Sequence, residues 1–360
     1  MVKAFSSPGK FYLGDGVLEK LGSYITPFGK KAVLIAHPDD SNRVSEQLKK
    51  VEADDIKFIH VAFPGECTEA AIAAGRAAVQ EHGAQVVVGL GGGKALDTAK
   101  AVAHFENKPL ISVPTIASTD APCSTLAVVY HEDHSIETVY CFPKNPDAVV
   151  ADSGVIAKAP VRFLVAGIGD AYATYFEARS CMRSYSPNYV GGVSTQAAFK
   201  LAELCHDVLL RDAELAVRAC KQKVVTESLE NVIEANLLLS GLGFESVGLA
   251  AAHAFYNAVS ELPDVHSHMH GELVAIGVLL QHILDHESEE QIRQTISFFK
   301  RVGLPTKLSE VGIQENVDEK LLKIAQDIPV KADCYNNFPF EVTVKMLYNA
   351  LKLIDELSAI

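Results

Sequence analysis

Up to about residue 150 the chain alternates short apolar, β-branched runs with stretches whose apolar positions recur at helical spacing. KAVLIAH (31 to 37), KFIHVAF (57 to 63), AQVVVGLG (84 to 91), PLISVPT (109 to 115) and AVVYH (127 to 131) read as strands. Between them NRVSEQLKKV, TEAAIAAGRAAVQEHG and LDTAKAVAHF carry the helical period. That alternation predicts a layered α/β unit around a mostly parallel sheet. After DAVVADSGVIAKAP the β-branched runs stop, and long helical segments such as GDAYATYFEARSCM, TQAAFKLAELCHDVLLRDAELAVRACKQKV and LENVIEANLLLSGLGF take over. The switch falls near Pro160. The expectation is an α/β nucleotide-type domain over 1–160 and an all-helical domain over 161–360, with ligands in the cleft between them.

Composition narrows the function. A chain of 360 residues exceeds one ordinary core, which agrees with two domains. A hydrophobic content of 48% with 21% charged residues describes a soluble globular protein. The net charge of -13 argues against nucleic acid and acidic membrane surfaces, leaving a small molecule or another protein as partner. No apolar run reaches the roughly 18 residues of a membrane span, and MVKAFSSPGK lacks the apolar core of a signal peptide, so a cytoplasmic location is expected. The seven cysteines show no CxxC spacing and read as small buried apolar residues.

Three stretches carry candidate chemistry. VVVGLGGGKALDTAK runs from a buried strand through three glycines and Lys94 into a helix, an arrangement that lets backbone N–H groups and the helix dipole meet a phosphate. It fits neither common template. A P-loop needs glycine at 88 and a hydroxyl after the lysine, where this chain has Val88 and Ala95, and GxGxxG from Gly89 puts Lys94 at its third glycine. A phosphate cradle and a ligand-free tight turn both remain open. PTIASTDAPCST (114 to 125) gathers hydroxyls around one carboxylate, Asp120, either as a substrate and cofactor loop or as a capped turn. VHSHMHGE (265 to 272) brings His266, His268 and His270 together, with His253 and Asp170 as distant partners in GLAAAHAFYNAVSEL and VAGIGDAYATYFEA. One carboxylate and two imidazoles leave a metal an open position for substrate; helix capping and core packing are the competing account.

Taken together, SPGKFYLG, GGGKALDTAKAVAHF, PTIASTDAPCS, AGIGDAYATYFEARSC, TQAAFKLAELC, VIEANLLLSGLGFES, GLAAAH and HGELVAIG resemble the glycerol dehydrogenases of the iron-containing alcohol dehydrogenase superfamily. The matches keep their order from residue 7 to about 305. The resemblance implies a dehydroquinate synthase-like architecture, with a Rossmann-like α/β domain followed by an all-α domain. It further implies metal-dependent, NAD-linked oxidation of glycerol to dihydroxyacetone by a ring-like homo-oligomer, with an octamer among the sizes to expect. The implied metal ligands are Asp170, His253 and His270, with His266 and His268 at the mouth or solvated. Gly93, Lys94, Thr115, Ser118, Ser124, Leu126 and Tyr130 match cofactor contacts, and Asp120 matches a substrate contact.

The departures from the family pattern are informative. Iron-using members carry a histidine where this chain has Thr174, so zinc is the expected metal, with manganese or iron as alternatives. At the end of the second strand, where an acid commonly binds the adenosine ribose, stands His37, which leaves NADP as the alternative to NAD. Asp39 and Asp40 follow it and are not placed by the sequence. Val247 replaces a usual glycine and bears on which diol or hydroxy acid fits. Phosphorylated substrates are disfavoured, because residues 245 to 275 contain no Lys or Arg.

Overall fold

The strand-forming runs assemble into one parallel sheet in the computed structural model, which describes residues 1–53, 55–131 and 135–358. Its strands are β1 (Phe11–Gly14), β2 (Lys31–Ala36), β3 (Lys57–Ala62), β4 (Val86–Gly91), β5 (Leu110–Pro114) and β8 (Ala148–Asp152), in the order β1-β8-β5-β4-β2-β3. The remaining two, β6 (Leu126–Tyr130) and β7 (Ile136–Cys141), form a separate antiparallel hairpin. The AVVYH run is therefore a strand, but one that leaves the main sheet. β1, β7 and β8 lie outside the five runs read from the sequence.

Alternate residues of the central strands feed opposite faces, as the two-residue period of a strand requires. Leu34 packs with Leu18, Val44 and Leu48 on one side, while Val33 and Ile35 pack with Ile72, Val79 and Val102 on the other. The helices covering these faces are α1 (Leu21–Ile25), α2 (Pro38–Arg43), α3 (Ser45–Ala53), α4 (Glu69–His82) and α5 (Gly93–Phe105).

Beyond the sheet the described chain is helical. α6 (Ser153–Ala157) is followed by α7 (Val161–Ser184), α8 (Gln196–Gln222), α9 (Glu227–Glu234), α10 (Ser240–Val247) and α11 (Ala251–Val259). Then come α12 (His270–Leu284), α13 (Glu289–Val302), α14 (Val317–Lys331) and α15 (Val344–Ser358). A π-helical turn, Ala235–Leu239, joins α9 to α10. The core of this half runs through α7, α8, α11 and α12 and reaches Val149 and Ala151 of the sheet. None of these helices is by itself long and apolar enough to cross a membrane.

Candidate functional site

The site forms where α7 and α12 cross, and two glycines make that crossing possible. A side chain on Gly169 would begin 2.3 Å from the carbonyl oxygen of Gly271, and one on Gly271 would begin 1.8 Å from that of Ala166. Only hydrogen fits at either position, so the two backbones lie against each other. The next residue along α7 is Asp170, and the residue before Gly271 is His270; the close crossing brings them face to face.

Asp170 Oδ1 lies 3.0 Å from His270 Nε2 and 3.2 Å from His253 Nε2 of α11. One ligand atom from each of the three lies within 4.8 Å of the others. Asp170 is buried, and its second oxygen, Oδ2, has no hydrogen-bond partner among the described residues. A buried carboxylate oxygen without a donor is costly, and beside two imidazole nitrogens it fits a divalent cation of zinc type. Burial opposes ionisation of Asp170, but the facing His270 and His253 hold its carboxyl below the usual range. Burial likewise opposes charge on His253, yet Glu177 and Asp170 raise its proton affinity well above the ordinary imidazole value. His266 is exposed and His268 pairs with Glu272 at 3.5 Å, so neither joins the cluster.

A second carboxylate orients the first histidine. Glu177, about two full turns along α7 from Asp170, is fully buried, and its Oε2 accepts from His253 Nδ1 at 2.6 Å. Its Oε1 accepts the backbone N–H groups of Ala250 and His253 at 2.8 and 2.9 Å. With a metal bound, this carboxylate would keep the ring proton on Nδ1 and leave Nε2 for the ion. The sequence reading missed Glu177; its i, i+7 spacing from Asp170 was the available signal. Tyr256, also missed, sets its ring against His270 at 4.1 Å between centroids.

Asp120 reaches the same centre from the loop after β5. Its Oδ2 accepts from Ser240 Oγ at 2.7 Å, and Ser240 in turn bonds Thr174 at 2.9 Å. Thr174, where the resemblance led to a comparison with a histidine, thus serves this hydroxyl chain. Burial first, then the charge of Asp170, pushes the Asp120 carboxyl up to about 8. Asn236 in the π-helical turn ties the loop to α7, donating to the carbonyls of Ala117 and Leu164 at 3.0 and 3.2 Å. Such turns recur at functional sites because they re-aim a side chain out of helical register.

The glycine run forms an uncapped helix entry. Gly91 has φ of 148°, a backbone conformation that favours glycine, and Gly92 precedes α5 with no side-chain cap. A side chain on Gly92 would begin 3.0 Å from Ile116, and one on Gly93 would begin 3.4 Å from Ala121 and Thr119. The first N–H groups of α5 are therefore left without a side-chain cap, as a helix N-terminus that receives a pyrophosphate requires. Lys94 pairs with Glu66 at 2.6 Å and lies 4.9 Å from the centre of the Tyr130 ring. Thr115 is buried at the end of β5, donating its N–H to Gly91 and its hydroxyl to Asp40. Ser118 is half-buried in the following loop.

Ser124 and Leu126 have internal partners. The buried Lys100 donates to Ser124 Oγ, to the Leu126 carbonyl and to Asp97, at 3.2, 2.5 and 2.9 Å. Asp97 also accepts the N–H of Val128 at 3.1 Å, and burial raises its carboxyl above the usual range. This ion pair, missed in the sequence, pins the loop to α5. His37 caps α2, its Nδ1 accepting from the N–H of Asp39 at 3.2 Å.

The chain is similar to known proteins along nearly its whole length. Residues 8–153 match the family described as iron-containing alcohol dehydrogenase. A glycerol dehydrogenase from Thermotoga maritima is 44% identical over 356 residues, 99% of this chain and 97% of that protein. The crystal structure of a probable glycerol dehydrogenase from Sinorhizobium meliloti 1021 has a TM-score of 0.93 at 41% identity, covering 99% of both chains. That of glycerol dehydrogenase from Schizosaccharomyces pombe has a TM-score of 0.95 at 36% identity, covering 99% of this chain and 91% of the other.

Proposed function

The chain belongs to the iron-containing alcohol dehydrogenase family, and from that premise we propose that it catalyses metal-dependent, NAD-linked oxidation of glycerol at the secondary hydroxyl, giving dihydroxyacetone. The observation that carries the proposal is the meeting of His253 and His270 at one oxygen of the buried Asp170 carboxylate, whose other oxygen has no hydrogen-bond partner among the described residues. The 44% identity to a glycerol dehydrogenase supports the choice of substrate.

Asp170, His253 and His270 would hold a divalent ion, and zinc suits one oxygen and two imidazole nitrogens with no redox demand. When bound, the ion supplies positive charge that stabilises a substrate oxygen anion, and NAD supplies the hydride acceptor. Glu177 keeps the His253 proton on Nδ1, so that Nε2 presents its lone pair. Asp120, steadied by Ser240, grips a neighbouring substrate hydroxyl and thereby orients the secondary carbon. The start of α5 at Gly93 and Lys94 receives the cofactor phosphates, while Lys100 fixes the loop carrying Thr115, Ser118, Ser124 and Leu126.

In this reading residues 1–160 bind the cofactor and residues 161–360 bind metal and substrate. A cytoplasmic homo-oligomer belongs to the same proposal and rests on the family resemblance. The test is NAD reduction with glycerol before and after chelation, with zinc then restored. Activity should vanish with the metal and return with zinc. Silence toward glycerol in the metal-loaded protein would contradict the substrate assignment.

A further inference from the structure

We propose that Asp40 is the residue that reads the adenosine ribose of the cofactor and holds the site against a ribose 2'-phosphate. The inference rests on the reading above that a nicotinamide dinucleotide lies across the strand ends. Sheet order locates the crevice. From β2 the chain steps outward to β3, whereas β4, β5 and β8 continue on the opposite side, so the direction reverses between β2 and β4. Open α/β sheets bind ligands outside the carboxyl ends of their strands at such a reversal.

Three polar side chains leave β2 near this point, and they face different ways. The His37 ring turns back onto its own helix, its Nδ1 occupied by the N–H of Asp39. The Asp39 side chain is 90% exposed. Asp40, only 20% exposed, lies over the crevice. Its Oδ1 accepts from Thr115 Oγ1 at 2.9 Å, and its Oδ2 lies 3.2 Å from where a side chain on Gly91 would begin. A carboxylate rooted just after β2 thus reaches the ends of both β4 and β5.

The local sequence explains the placement. Pro38 starts α2 at once after His37, and its fixed φ favours that first helical position. The resulting turn carries Asp40 over the strand ends, so the acid missing at position 37 is supplied three residues later. A carboxylate accepts hydrogen bonds from ribose hydroxyls and repels a phosphate in the same place. Arg43, ion-paired to the same carboxylate from within α2, is the cation a 2'-phosphate would recruit if Asp40 were removed.

The test is calorimetric binding of NADH and NADPH to the intact protein, its Asp40→Asn variant and its His37→Asn variant, the last retaining a helix-capping side chain. Wild type should bind NADH at least about tenfold tighter than NADPH, and Asp40→Asn should narrow that ratio by about tenfold or more. His37→Asn should leave the ratio within about twofold, since its ring caps the helix. Wild type preferring NADPH, or an Asp40→Asn ratio equal to wild type while His37→Asn shifts it, would overturn the assignment. Binding of neither nucleotide to folded protein would overturn the cofactor reading as well, and so separates the two failures.

Discussion

At the scale of single residues, the state of His253 depends on what Glu177 can accept. As a carboxylate, Glu177 accepts a hydrogen bond from Nδ1–H of the ring, so that Nε2 would be the atom offered to a bound metal. In a Glu177→Gln variant the side-chain oxygen can still accept the Ala250 and His253 N–H groups, so the local fold should survive. The amide NH2 would donate to Nδ1, moving the ring proton to the atom that faces Asp170. Zinc affinity should fall about 10- to 100-fold with the circular dichroism unchanged. Competition with a chromophoric chelator measures it, and unaltered affinity would reduce Glu177 to a structural role.

The same scale shows what was legible. Asp170, His253 and His270 stood out as residue types with metal chemistry, and family resemblance joined them across the chain. The i, i+7 spacing of Glu177 puts it on the face of Asp170 but does not say that it meets His253, and nothing local to Lys100 says which way its side chain turns. Their roles follow from helix crossings that bring distant residues together.

At the scale of elements, the α7–α12 crossing controls the approach of His270 to Asp170. Gly271→Ala would place a methyl group 1.8 Å from the Ala166 carbonyl, and no flexible side chain can yield there. The helices must separate, at a cost of about 3 kcal/mol, and His270 must withdraw from Asp170. Denaturant unfolding and metal titration should therefore worsen together. A variant with wild-type stability and metal affinity would refute the tight crossing.

Strand recognition failed where pairing is remote or exposure is high. β1 is four residues long, half-buried throughout, and pairs with β8 from far along the chain. β7 is largely exposed and mixes polar with apolar residues on both faces. β6 fits a buried strand pattern, but its antiparallel partner takes it out of the main sheet. The central strands β2, β4 and β5 were legible because burial on both faces demands nearly continuous apolar sequence.

At the scale of the whole molecule, acid sensitivity should trace partly to a buried histidine outside the Asp170–His253–His270 group. Burial foremost, then Arg179 and His206, lowers His282 from 6.5 to about 3. A histidine depressed by folding contributes stability that is fully present above about pH 6.5 and is lost as pH falls toward 3. The shift corresponds to ~5 kcal/mol at most. Urea unfolding between pH 7 and pH 4 should show a shallower loss in His282→Gln than in wild type; equal slopes would remove His282 from the acid response.

The central claim is that Asp170, His253 and His270 hold the metal on which glycerol oxidation depends. The most direct measurement compares bound metal and glycerol-dependent NAD reduction in wild type and His253→Ala, with circular dichroism as the control for folding. Wild type should carry a divalent ion and reduce NAD, and the variant should lose both while staying folded. A folded, metal-free His253→Ala protein that reduces NAD at the wild-type rate would contradict the account.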